Sequence, residues 1–407
     1  MKTTPFALTL AAALLAQFAV AADSPRFRGP DGDGTFDETG LLSSWPEGGP
    51  EMLWSIDGLG QSYSTVAVVG DRLYTTGMTD KKGMAYAIST DGKLVWKREY
   101  GPEFDGRGYP GTRNTPTVHD GTLFLLSSLG KATALDAASG EERWSIDLFS
   151  KFQGRNTYFG LAESPLIVDG KVIYTPGGPD ASVVALDPAT GNTVWTSRGL
   201  GDGPAYCTPR IFDNGKHRQI ITLVAKNLVG LDPDSGEVLW RHPSEVSYDI
   251  HAVSPEFVGN DIYVSHGYDQ GGKMFRLADD GRSVSELWSE EKLDVHHGGA
   301  IVHEGHIYGA ASNGTWYALK AETGEIAAEI KRLGKGSMIL VDGHLIGYTE
   351  DGEVVLVDPD PANFRVISSF EIEQGSGQHW SHPVVSNGVL YVRHGEVLMA
   401  FDVRSPA

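Results

Sequence analysis

The sequence predicts an all-β fold, an eight-bladed β-propeller in which N- and C-terminal strands complete one blade. Three observations predict it. The first is a repeated phrase of an apolar residue, Asp, a Gly turn and Trp, which keeps one spacing in Leu135-Asp136 to Gly140 to Trp144, Leu186-Asp187 to Gly191 to Trp195, and Leu231-Asp232 to Gly236 to Trp240. Weaker copies run from Ala87 to Trp96 and from Arg276 to Trp288, and through Ala318-Leu319-Lys320, Leu356-Val357-Asp358 and Ala400-Phe401-Asp402. A period of about 40–50 residues is that of propeller blades. The second observation is the text upstream of each copy: Ser or Thr, often Pro, then an alternating run, a Gly turn and a run ending in Tyr or Phe. Thr115-Pro116 leads to Asp120-Gly121 and Phe124, and Ser164-Pro165 to Asp169-Gly170 and Tyr174. These are hairpin signals. The third is at the ends: the last unit stops at Asp402-Val403 without a Trp strand, while Met52-Leu53-Trp54-Ser55 is a Trp strand with nothing before it.

Taken in order, each unit reads as four antiparallel strands: one after Ser/Thr-Pro, one ending in an aromatic, one carrying Ala-Leu-Asp and one carrying Trp. The first-strand anchors Thr65, Pro116, Pro165, Pro209, Pro255, Gly299, Met338 and Pro383 mark the eight units. The Trp is expected to fill the gap between blades and donate its indole N–H to a carbonyl of the next one. The Asp is expected to accept turn amides and the Gly to take positive φ. Closure removes free sheet edges. The domain reading is a signal peptide over 1–21, an N-terminal extension over 22–51 and the propeller over 52–407.

Residues are 40% hydrophobic, with 51 Gly and 21 Pro placed at turns, and the net charge is −20. No basic run exceeds Lys97-Arg98 or Lys331-Arg332, which argues against nucleic acid as a partner. Lys2, the apolar run Phe6 to Val20 and Ala19-Val20-Ala21 have the form of a cleaved export signal. Nothing later approaches the roughly 20 apolar residues of a membrane span. The expectation is an exported protein, periplasmic or extracellular, soluble after cleavage and monomeric. Cys207 stands alone and is expected to be a buried small residue.

The repeat phrase resembles that of the pyrroloquinoline quinone (PQQ) propeller superfamily, which includes quinoprotein alcohol dehydrogenases and the outer-membrane assembly lipoprotein BamB. The likeness covers about residues 52–403. Phe27-Arg28-Gly29-Pro30-Asp31-Gly32-Asp33-Gly34 is similar to a leader of secreted PQQ-like repeat proteins. Membership among the enzymes would imply PQQ, a vicinal Cys pair packed on it, and Ca²⁺ held by Glu, Asn and Asp beside an Asp base. One Cys and no Cys-x-x-Cys-His speak against PQQ, Ca²⁺ and haem; the missing lipid-acceptor Cys separates the chain from the lipoprotein.

Residues just before the inner strands form one mouth of a propeller's channel. Aligning the blades collects Tyr63, Arg113, Asn114, Glu163, Tyr206, Cys207, His251, His296, His297, Lys335, His379, Trp380 and His382 there. This position differs in every blade, which a structural position would not. Of these, Tyr63, Arg113, Asn114, Glu163, Tyr206, His251, His297, Lys335 and Trp380 are the candidate ligand-binding residues. Two long connections, from Gly101 to Arg113 and from Lys151 to Glu163, feed the same face with Phe104, Arg107, Tyr109, Arg155, Asn156, Tyr158 and Phe159.

Glu163 is the one carboxylate of that ring. It is expected either to pair with Arg113 or Lys335, or to hold Ca²⁺ with Asn114 and a third oxygen such as Asp249. His251 with His296 or His297 is the alternative metal set, although neighbours on a strand point to opposite faces. The function expected is binding or scaffolding, with a small ligand or protein partner at the mouth. The alternative is a Ca²⁺- and PQQ-dependent alcohol dehydrogenase with Glu163 and Asn114 as metal ligands.

Overall fold

The computed structural model describes residues 23–406 except 107. The signal peptide expected over 1–21, and Arg107, lie outside the described residues. Eight sheets of at least four strands form an eight-bladed β-propeller, seven of them containing four consecutive strands. The eighth takes its outer strand, Glu51–Ile56, from the chain's beginning and pairs it antiparallel with Val397–Asp402, placing Trp54 opposite Ala400.

The repeat phrase builds the blade contacts as one small unit. Asp136 Oδ1 accepts from the amides of Ala138 and Ser139 and from the Ser139 hydroxyl. Gly140 follows at φ 73°, and a Cβ there would come within 2.8 Å of the Trp96 indole of the preceding blade. Asp187 with Gly191 repeats this arrangement beneath Trp144, and Asp232 with Gly236 repeats it beneath Trp195. Glycine is therefore required twice over, for its backbone conformation and for its missing Cβ. The indole N–H groups of Trp54, Trp96, Trp144, Trp195 and Trp288 donate to Thr90, Ala137, Pro188, Pro233 and Ala321 of the following blade at 2.9–3.1 Å. Trp240 departs from the expected pattern. Its N–H meets Gln219 Oε1 of its own blade at 2.7 Å, and Gln219 Nε2 then reaches Gly281 O of the next.

The segment before Trp54 runs against the first strands of several blades. Ser24 bridges Val68 in blade 1, Val118 N–H of blade 2 donates to Pro25 O, and Thr35–Phe36 adds a parallel strand beside Leu340 and Val341 in blade 7. Between these points lies Arg28, 2% exposed, bonded to Asp33 O at 2.7 Å, Ala300 O at 2.5 Å and Glu256 Oε1 at 3.1 Å. Glu256 is also bonded to Arg210. A buried carboxylate between two guanidiniums clamps the leader to the inner strands of blades 4 and 5. Its carboxyl is nonetheless pushed up to about 7, since burial outweighs both arginines.

Candidate functional site

At one mouth of the channel is a cavity of about 400 Å³, within the roughly 300–1,000 Å³ of small-molecule sites. Tyr63, Arg113, Tyr206, His297, Lys335 and Trp380 all line it. They come from the connections leading into six different blades, as aligning the blades predicts.

Three candidates do not reach it. Glu163 is 2% exposed, its carboxyl taken by the Thr175 amide at 2.6 Å and by the Thr175 hydroxyl. It pairs with neither Arg113 nor Lys335, and burial without a cation raises it to about 7. Asn114 is buried beside it, donating from Nδ2 to Glu163 O at 2.5 Å. His251 is buried against His266, with Nδ1 atoms 3.1 Å apart, and burial lowers it to about 4. Asn114 and Glu163 stand two residues before their anchors and His251 four, whereas Arg113, Tyr206, Lys335 and Trp380, which reach the cavity, stand three before theirs. Asp249 lies apart from Glu163 in bonding, paired with Lys226 at 2.7 Å. The expected Ca²⁺ ligands thus have other partners, and no group of three or more His, Cys, Asp or Glu fit to hold a metal occurs among the described residues. Cys207 is buried and free. The residues present do not make a calcium and quinone cradle.

The cavity's carboxylate is instead Glu350, which sequence reasoning missed. It sits in the turn between the strands His344–Thr349 and Glu353–Asp358 of blade 7, so alignment on first-strand anchors passes over it. Its Oε1 collects Trp380 Nε1 at 2.5 Å, His297 Nε2 at 2.7 Å and Lys335 Nζ at 3.0 Å. Burial opposes the charge, but the bonds from His297 and Lys335 outweigh it and hold the carboxyl down at about 2. Burial lowers His297, and the bond to Glu350 opposes that shift. Oε2 takes no hydrogen bond among the described residues.

His296 and His297 both line the cavity, contrary to the expectation for neighbours on a strand. They lie in the connection ahead of Ile301–His303, where strand alternation does not apply. Burial, then His297 and Lys335, lower His296 to about 3. Aromatic rings close the walls: Trp380 meets Tyr109 at 4.6 Å and Tyr63 at 5.1 Å between centroids. The long connections contribute Tyr109 and Phe159, and Phe27 of the leader lies against His382 at 4.8 Å. Arg113 sits over Tyr63 and Phe104, bonded to Gly111 O and Tyr109 O, with no carboxylate within ion-pair distance among the described residues.

Fold and site together define a PQQ-like repeat propeller with an aromatic, cation-bearing cavity at its channel mouth. The chain belongs to the family described as outer membrane protein assembly factor BamB, whose model matches residues 81–330. It is 22% identical over 318 residues to the outer membrane protein assembly factor BamB of Yersinia pestis, covering 72% of each chain. It is 28% identical over 161 residues to a quinoprotein ethanol dehydrogenase of Pseudomonas aeruginosa, where the match covers 37% of this chain and 25% of that one. In sequence the match thus spans only about a quarter of that dehydrogenase's length. In fold it is similar to BamB from Moraxella catarrhalis, with a TM-score of 0.65, 17% identity and coverage of 87% of this chain and 99% of that one. A europium-containing methanol dehydrogenase gives a TM-score of 0.68 at 13% identity, covering 92% and 90%. Among the described residues no helix is long and apolar enough to cross a membrane.

Proposed function

We propose that this protein is an exported binding module, with residues 1–21 as its signal peptide and the cavity at the channel mouth as the site for a ligand or partner. The observation that carries the reading is the arrangement around Glu350. Three donors converge on Oε1, and the same cavity is lined by Arg113, which has no carboxylate within ion-pair distance among the described residues. The assembly-factor relatives support a binding role. The quinoprotein relatives raise the alternative of a Ca²⁺- and PQQ-dependent dehydrogenase; the engagement of Glu163 with Thr175 and the solitary Cys207 count against it.

The test is a thermal-shift screen of sugars, hydroxy acids and quinones, PQQ with Ca²⁺ among them, on the parent and on Trp380→Ala. Compounds that raise the parent's melting temperature but not the variant's are expected. If every stabilising compound acts equally on both, the cavity is not the site. A quinone spectrum that stays with the protein through gel filtration would favour the dehydrogenase.

A further inference from the structure

Beside the cavity lies a second one of about 470 Å³, and the two share Tyr206 as a wall. They hold the same kinds of group, the outer ion pair being the more exposed, with side chains at 50% and 40% against 21% and 26%. The inner one holds a lysine and carboxylate pair, Lys335 and Glu350, and the outer one holds Lys226 and Asp249. In each pair the carboxylate engages its lysine through one oxygen, and the other oxygen takes no hydrogen bond among the described residues. Each cavity also has a guanidinium with no carboxylate within ion-pair distance: Arg113 inside, and Arg155 outside, which reaches only Gly201 O at 3.4 Å. Asp202 also lines the outer cavity, but its carboxylate is taken by the amides of Gly203 and Lys226 and by Asn227.

Both cavities present tyrosines. Tyr109, Tyr206, Tyr248 and Tyr268 have φ of 66°, 72°, 64° and 61°, and among the described residues no other aromatic has positive φ. A bulky side chain in this region is an outlier, and such outliers gather at functional sites. All four line one or both cavities.

Two adjoining sites of one composition suit a ligand that repeats. Each unit should carry one negative charge for the guanidinium, hydroxyls for the unsatisfied carboxylate oxygen, and a C–H face for the tyrosines. In the inner cavity Tyr63 and Tyr109 both pack against Trp380, at 43° and 54°. We propose that the two cavities are successive subsites for an acidic oligosaccharide, a chain of uronate residues running past Tyr206. This rests on the reading of the mouth as a binding site. The net charge of −20 does not prevent it, because charges beyond about 8 Å are largely screened at physiological ionic strength.

Calorimetry on the full chain tests it, with tetragalacturonate, galacturonate, cellotetraose and a short polyglutamate as probes. Tetragalacturonate is expected to bind at least tenfold tighter than each of the others. Arg113→Gln and Arg155→Gln should each weaken it at least fivefold without changing cellotetraose. Galacturonate should respond to one of these variants only. Equal binding of polyglutamate, or arginine variants that bind like the parent, would overturn the proposal. So would no uronate binding at millimolar concentration; if another compound then stabilises the parent but not Trp380→Ala, the mouth remains a binding site with a different ligand. If no compound separates the two proteins, both readings fall.

Discussion

Trp380 donates its indole N–H to Glu350 Oε1 at 2.5 Å, across a contact between neighbouring blades. The bond ties the connection into blade 8 to a hairpin turn of blade 7, and His297 of blade 6 and Lys335 complete the cluster. One carboxylate therefore sets the position of three side chains that line the cavity.

Acid titration should reveal that cluster. The Glu350 carboxyl is held at about 2 in the fold, below its ordinary 4.5. An acid depressed by folding stabilises above its unfolded pKa and loses that contribution as pH falls through the folded one. The parent should therefore exceed Glu350→Gln in melting temperature above pH 5, with the gap shrinking between pH 4.5 and 2. A gap independent of pH would show the carboxylate to be uncharged.

Glu163 should behave in the opposite sense. Burial raises it to about 7, so its contribution is full below pH 4.5 and declines as pH rises to 7. Glu163→Gln should remove that decline, leaving the variant at least as stable as the parent at pH 8 and less so at pH 4. Urea unfolding at the two pH values checks this.

Truncating the indoles between blades should be costly. Trp144 and Trp195 are 8% and 7% exposed, and each replacement by Ala should cost about 3–5 kcal/mol, as for other buried aromatics. Gln219→Ala should also destabilise, because it frees the buried Trp240 N–H and the Gly281 carbonyl together. Val194→Thr, on the exposed side of the same strand as Trp195, should change stability by less than about 0.5 kcal/mol. Denaturant midpoints rank the four.

Closure gives a coarser test. A chain beginning at Asp57 lacks the strand opposite Val397–Asp402 and the Trp54 contact with Gly92. It should aggregate or melt well below the full chain. An unchanged melting temperature would mean that the closing strand contributes nothing.

The leader can be probed by one charge. Arg28→Met leaves Glu256 with Arg210 alone, and breaking a buried pair in this way costs about 3–5 kcal/mol. Phe27→Ala should leave stability less affected while removing the ring that lies against His382. A ligand-induced melting shift that is smaller in Phe27→Ala than in the parent would place that ring in the site.

The fold was legible because it is local and repeated. Asp136, Gly140 and Trp144 act within one hairpin and on one neighbour, so their spacing carries the geometry, and the lone Trp54 strand needed a partner that only the last unit offered. The ring of channel-facing positions was legible for the same reason, and six of its candidates do share a cavity. What the spacing could not determine was where each side chain turned. Glu163 matches Asn114, two residues before its anchor, and both turn into the fold, whereas Arg113, one residue earlier, faces the cavity. Thr175 holds the Glu163 carboxyl, and the rings of Tyr63 and Phe104 carry the Arg113 guanidinium. Glu350 and the two arginine-bearing cavities were likewise decided by the tertiary structure alone. They depend on contacts between blades dozens of residues apart, where hydrogen-bond partners are chosen by packing rather than by period.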